Sequence, residues 1–388
     1  MSRLLRSSAA ALLALAAIAP SLSAQGGAPV RRILSIGHHP RVDGIRLNFR
    51  DKELELVNGV NATIWTPYDG YIGGRVNGVA LGLPLTAAGE IHGLSLGLLG
   101  VGAEDGMTGI GIGGIGLGAG GTVSGIHVAS IGVGAGGDVR GLAAGGVGIG
   151  AGGDVRGIMV GGIGAAAGGS VRGIAVGGIG AGAGGNARGL VAGGIGAGIG
   201  GDLRGIAAGG IGVGSGGSAR GIMVGGVGVG AGGSIRGLAV GGVGVGAGGS
   251  IRGITVGGVG VGGGSDITGL TVGGIGVGSG GTLRWVSVAG LGVGAPRIEG
   301  LAAATLVGAE RTHGVVIAPA MFRTERGGRM TGVSVSSVNA IRGEQRGLSI
   351  GLVNYTRRLQ GVQLGAINIV GERKGITKVL PIINVGRH

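Results

Sequence analysis

Eight arginines recur at an interval of sixteen residues: Arg140, Arg156, Arg172, Arg188, Arg204, Arg220, Arg236 and Arg252. After Thr268 the phase resumes at Arg284. If successive units stack, these side chains form one ladder, and guanidinium groups roughly 5 Å apart repel by about 1 kcal/mol even at the dielectric of water. Such a column calls for anions between its members or for side chains that splay. The chemistry open to it is linear anion binding, with phosphates or carboxylates held bidentately. The plainer use is a solvated basic face that keeps a stack rich in glycine and alanine from aggregating.

Other reactive residue types are sparse. Two segments match the G-x-S-x-G nucleophile elbow, Gly93–Gly97 around Ser95 and Gly347–Gly351 around Ser349. An esterase serine needs a strained strand-to-helix turn with His and acid partners on an α/β sheet, and no helix is expected here. The G-x-G-x-x-G matches follow from glycine density alone, with no crossover helix after them. His38 and His39 are adjacent, so on a strand they point to opposite faces and cannot share one ion. Asp138, Asp154 and Asp202 share one phase position that is Ser or Asn in other units, which leaves a calcium ladder incomplete. No enzyme activity, cofactor or metal is expected.

The segment that would carry these residues is organised by glycine, which supplies 108 of 388 residues, while aromatics make up 2%. Collagen is excluded, because glycine there recurs every third residue with abundant proline, whereas all eight prolines lie outside residues 85–295. The net charge of +14 is carried almost entirely by arginine and points to anionic surroundings, either surface polymers or lipid headgroups, with no specific nucleic acid. There is no cysteine, so neither a disulfide framework nor a lipoprotein anchor is available. Arg3 and Arg6 precede an apolar stretch from about Ala9 to Ala19, and small residues follow at Ser21, Ser23 and Ala24. That pattern predicts a signal peptide over 1–24 and a protein exported to the periplasm, outer membrane or cell surface.

A Gly followed by an aliphatic recurs at Gly44, Gly59, Gly78, Gly93, Gly109 and Gly125, then every sixteen residues from Gly141 to Gly269. The phase continues through Trp285 to Gly300, Gly314, Gly332, Gly347, Gly361 and Gly375, for about 22 units. Within one unit, Ile174 and Val176 alternate with smaller residues, and Ile179, Ala181 and Ala183 alternate with glycine, at the period of a strand. The phase flips between Val176 and Ile179, which predicts a corner at Gly177-Gly178 that turns both apolar sets into one interior, and a second at Gly184-Gly185. Asn339, Asn354 and Asn368 occupy the position of Gly180. Either a left-handed turn or a column of stacked asparagines accounts for that exchange.

A single-unit period favours a screw operation, hence an all-β fold: a glycine-rich β-solenoid of about 22 short coils. An outer-membrane β-barrel with one strand per unit is the alternative, because alternation of apolar and small residues also suits a lipid-facing wall. The organisation is a signal peptide over 1–24, an N-terminal cap with the first irregular repeats over 25–75, a glycine-rich array over 76–284, and irregular repeats with a cap over 285–388. The aromatics Trp65, Tyr68, Tyr71 and Trp285 fall in or next to the capping regions.

Gly347-Leu348-Ser349-Ile350-Gly351-Leu352-Val353-Asn354 and Gly361-Val362-Gln363-Leu364-Gly365-Ala366-Ile367-Asn368 resemble bacterial surface-repeat proteins whose units read G-V-Q-x-G-L-x-N. The ending Val379-Leu380-Pro381-Ile382-Ile383-Asn384 is similar to that family's closing segment, and Val76-Asn77-Gly78-Val79 to its N-terminal units. The uniform centre departs from the pattern, with Gly in place of Asn. The resemblance implies a surface protein and brings no assigned activity. The function expected is structural or adhesive, with the arginine ladder as the binding element and self-association as a further partner class.

Overall fold

The computed structural model describes residues 32–66 and 72–386. The expected signal peptide, Tyr68 and Tyr71 lie outside them. In the regular centre each unit contributes two strands, for example Val171–Gly177 and Gly180–Ala183, separated by bends at Gly178-Ile179 and at Gly184-Gly185. Each strand pairs in parallel with its equivalents sixteen residues before and after, Val171 with Val155 and with Ala187. The bends are tied in the same way: Ile179 N–H donates to the Ile163 carbonyl at 2.7 Å and Gly185 N–H to Gly169 at 2.9 Å. The chain is therefore a parallel β-solenoid of about 20 turns. An outer-membrane barrel is built from antiparallel strands, whereas parallel pairing runs here from Leu34↔Ile45 to Ile350↔Leu364, so the barrel alternative is excluded. At roughly 4.8 Å per coil the stack is on the order of 100 Å long.

The interior differs from the expected one. Val171, Ala175, Ala181 and Ala183 are buried, whereas Ile174 and Ile179 are exposed and Val176 is half-buried. There is no flip of face between the two strands: Val171, Ala175, Ala181 and Ala183 share one parity and point inward. Ile179 of that parity turns outward at the bend, and the larger aliphatics of the first strand stand outside. The inward columns take side chains of varied size, from Ala187 with Val191 and Leu203 with Ala207 to Val155 with Met159, all essentially inaccessible.

The repeating glycine before the aliphatic has its own geometry. Gly173 has φ +134°, and a Cβ there would stand 2.0 Å from the carbonyl oxygen of Gly157 in the preceding coil. The same close approach recurs from Gly44 to Gly361, except that Trp285 stands at this position with φ +81°. Only glycine takes this conformation without strain. Gly375 does not continue the series. It opens a short 3₁₀ turn, Gly375–Lys378, so the last expected coil is absent.

Asn339, Asn354 and Asn368 are fully buried and have no positive φ, which leaves the stacked column as the reading that fits. Asn339 Nδ2 donates to Asn354 Oδ1 at 2.7 Å, and Asn354 Nδ2 to Asn368 Oδ1 at 2.7 Å. Asn354 Nδ2 also reaches the Leu364 carbonyl, and Asn368 Nδ2 the Leu380 carbonyl. The ends of the stack are built differently from its middle. At the N-terminal end, buried Arg46 donates to Asp51 at 2.9 Å and to Asn61 at 3.1 Å, with Asn48 and Thr63 joined to the same network. Burial raises the Asp51 carboxyl, opposed by the bonds from Asn61, Arg46 and Asn48. At the C-terminal end Val379–Gly386 runs antiparallel to Val353–Val370, which stops the parallel ladder, and Pro381 withholds a donor from that last strand.

Candidate anion-binding face

Arg172 lies between inward-facing Val171 and the bent Gly173, so alternation sends its side chain outward. Because every coil repeats this local arrangement, the arginines stand in register: Arg140↔Arg156↔Arg172↔Arg188 and onward to Arg236↔Arg252. All eight are exposed. Arg140 pairs with Asp138 at 3.0 Å, but Arg156, Arg172, Arg188, Arg204, Arg220, Arg236 and Arg252 have no ion pair among the described residues. The ladder passes through Thr268 to Arg284, which is held by Glu299 at 3.0 Å and by Asp266 at 3.7 Å. The unbroken run of arginines without an ion pair is thus Arg156 to Arg252, in the uniform centre.

The column two residues earlier explains a sequence feature that did not fit calcium. The N–H of Asp154 donates to Asp138 Oδ1 at 2.9 Å, that of Ser170 to Asp154 Oδ1 at 2.7 Å, and that of Asp202 to Asn186 Oδ1 at 2.7 Å. Serine does the same through Oγ, as Ser234 N–H shows on Ser218 at 3.1 Å. From Asp138 to Ser234 each side chain at this corner accepts the amide of its counterpart one coil on, so Asp, Asn and Ser are interchangeable because all three carry an oxygen at the right reach. The Asp154 amide, then the Arg140 side chain, hold the Asp138 carboxyl below the usual carboxylate range. No group of three or more His, Cys, Asp or Glu among the described residues could hold a metal ion.

Between these columns Arg172, Arg188 and Arg204 border a shallow cavity of about 70 Å³ whose floor includes Ser170, Asn186 and Asp202. Neither a known protein family, a curated protein nor a solved structure matches this chain. The face must therefore be read from its own geometry: seven unpaired guanidinium groups in a line, one per coil, set beside a corner whose oxygens are already occupied by backbone amides.

The remaining chemistry-bearing residues lie elsewhere. Ser95 and Ser349 are both inward-facing and buried. Ser349 accepts from Ser334 Oγ at 2.9 Å. Ser95 shares an inner column with Gly111 and His127, and a Cβ at Gly111 would fall 3.1 Å from Ser95 Oγ and 2.5 Å from His127 Nδ1. His39 Nδ1 is bonded to Ser35 Oγ at 2.7 Å and its Nε2 meets Arg32. One basic site was missed in the sequence. Arg311, Arg323, Arg326 and Arg342, with Glu310 and Glu325, surround a cavity of about 670 Å³ at the C-terminal end. The signal for it was the eighteen-residue step from Gly314 to Gly332, longer than its neighbours, which inserts extra chain at this corner. Further along, Arg329 and Arg346 share Glu344, and Arg357 and Arg358 share Glu372.

Proposed function

We propose that this chain is an exported structural or adhesive element that holds a linear anionic polymer along its arginine ladder. The observation that carries the reading is the run of seven in-register arginines without ion pairs, one per coil, whereas Arg329, Arg346, Arg357 and Arg358 further along are matched by Glu344 and Glu372. A rigid rod with one guanidinium per coil meets a flexible polyanion at many points, so weak contacts accumulate without a deep pocket. Arginine serves better than lysine here, since its planar fork takes phosphate, sulfate or carboxylate bidentately. The expected surface location rests on the N-terminal segment and on the resemblance of the flanking repeats to bacterial surface proteins.

The test is binding of long-chain polyphosphate and of a sulfated polysaccharide to the purified mature chain as a function of salt. Affinity should fall steeply with ionic strength, with a log–log slope that grows by roughly 0.7–0.9 for each anion neutralised. Replacing Arg172, Arg188 and Arg204 together by Gln should weaken binding about 10-fold or more and flatten that slope, whereas Arg329→Gln and Arg346→Gln, both ion-paired, should change it little. Vesicles carrying phosphatidylglycerol serve as a separate arm, so that headgroup binding is distinguished from polymer binding. Binding that ignores both salt and the triple substitution leaves the ladder as a solubilising face only.

A further inference from the structure

The outward side of the longer strand forms a second continuous face, made of aliphatic residues rather than arginine. Its first column runs through Ile126, Ile158 and Ile206, and its outer border is the corner column of Ile163, Ile179 and Ile211, all exposed. Between them stands the column of Val128, Val160 and Val224. Roughly two dozen half-exposed Ile, Leu and Val side chains lie on this face between Ile110 and Leu306. Together they present on the order of 2,000 Å² of apolar surface, against about 800 Å² per partner in an ordinary stable interface and a few hundred for the largest patch on a typical monomer. We infer that this face is covered by a second copy of the same chain, packed sheet to sheet.

Three features select that occupant. The face is almost entirely Ile, Val, Leu and Ala, and the exposed Trp285 stands singly at its arginine border near one end, not in the aromatic belts that mark both edges of a surface seated in a bilayer. Its ridges repeat once per coil, so a second copy brings ridges of identical pitch and two such faces interdigitate along their whole length. Charge then sets the direction. The arginine column borders the face on one side, two residues before the first aliphatic of each strand, and the Ile179 column borders it on the other. A twofold axis running along the stack places the arginine border of each copy against the isoleucine border of its partner, with the basic columns on opposite rims. A twofold axis across the stack would set the two arginine columns side by side, where they repel. The pair is therefore parallel, each coil facing its own equivalent, and both ladders stay open to solvent. This inference does not depend on what the ladders bind.

The test is mass by sedimentation equilibrium and orientation by cysteine cross-linking, which is clean because the chain has no cysteine. The mature chain should sediment at twice its monomer mass. The double substitution Val160→Asp with Val224→Asp should return the monomer while circular dichroism stays unchanged. Single variants Val128→Cys and Val272→Cys, near opposite ends of the central column, should each form disulfide-linked dimers with themselves. If the aspartate variant fails to fold, these cysteine variants still decide the matter. A monomer at all concentrations overturns the inference, most directly if it floats with phosphatidylglycerol vesicles. Cross-linking only between the Val128→Cys and Val272→Cys chains in a mixture overturns the parallel arrangement.

Discussion

Two glycines nine residues apart should respond oppositely to the same substitution. Gly205 has φ +138°, and an added Cβ would stand 2.1 Å from the carbonyl oxygen of Gly189; Gly214 has no positive φ, and its Cβ would meet nothing within 4 Å. Gly205→Ala thus combines about 1–2 kcal/mol of left-handed backbone strain with displacement of a carbonyl on the neighbouring coil. The inter-coil hydrogen bonds lost or stretched in that displacement are worth about 1 kcal/mol each. We expect a loss of roughly 2–4 kcal/mol, not more, because Trp285 shows that a side chain can be housed at this position when φ swings to +81°. Gly214→Ala should be neutral or more stable by about 0.5–1 kcal/mol, since alanine gives up less chain entropy than glycine on folding. The assay is guanidinium unfolding followed by circular dichroism. It is paired with amide hydrogen exchange in the coils around each site, because a linear array opens locally as well as globally. Equal effects at the two positions would refute the argument that backbone proximity, rather than glycine content as such, is what the repeat protects.

Other perturbations have equally definite outcomes. Deleting Gly173 to Arg188 removes one whole coil and should leave a folded, shorter rod by X-ray scattering, whereas deleting eight residues throws every later inward-facing side chain out of register and should abolish the cooperative transition. Asn354→Ala breaks the middle of a buried chain of three asparagines and strands polar groups on both neighbours, so it should cost about 2–4 kcal/mol in chemical denaturation. His127 is buried with Nε2 on the Ser124 carbonyl at 3.1 Å and Nδ1 unpartnered, and burial holds its pKa below the usual value, opposed by that bond. The unfolded chain therefore takes up a proton that the folded chain resists. Stability should be flat above about pH 6.5, the ordinary histidine value, and fall as pH drops below it. The difference in melting temperature between the parent and His127→Gln, recorded across that range, isolates the effect, and identical slopes would discount it.

Much of this fold is legible in one dimension because a solenoid relates neighbours by a constant offset. The period of sixteen, the strand character, the bends near Gly178 and Gly184, and the alignment of Arg140 through Arg252 all follow from which residue recurs at which interval, since the screw operation converts interval into contact. What the sequence leaves open is which parity faces in. Ile174 and Val176 are the larger residues and would be assigned to a core on hydrophobicity alone, yet the column that faces in is the one that holds Met159, Ala175 and Val191. That decision rests on how the bends and the positive-φ glycine set each strand against the axis of the coil, a quantity that no single position carries. The left-handed turn and the stacked column for Asn339, Asn354 and Asn368 were likewise equivalent until the backbone angles were fixed. The role of the Asp, Asn and Ser column was hidden for a related reason: its partners are backbone amides one coil away, and amides leave no mark in the sequence. The identity and order of the repeating residues determined that the chain coils and what lines each edge; the cross-section, and with it the outward turn of an aliphatic face, was decided only when the coils closed on one another.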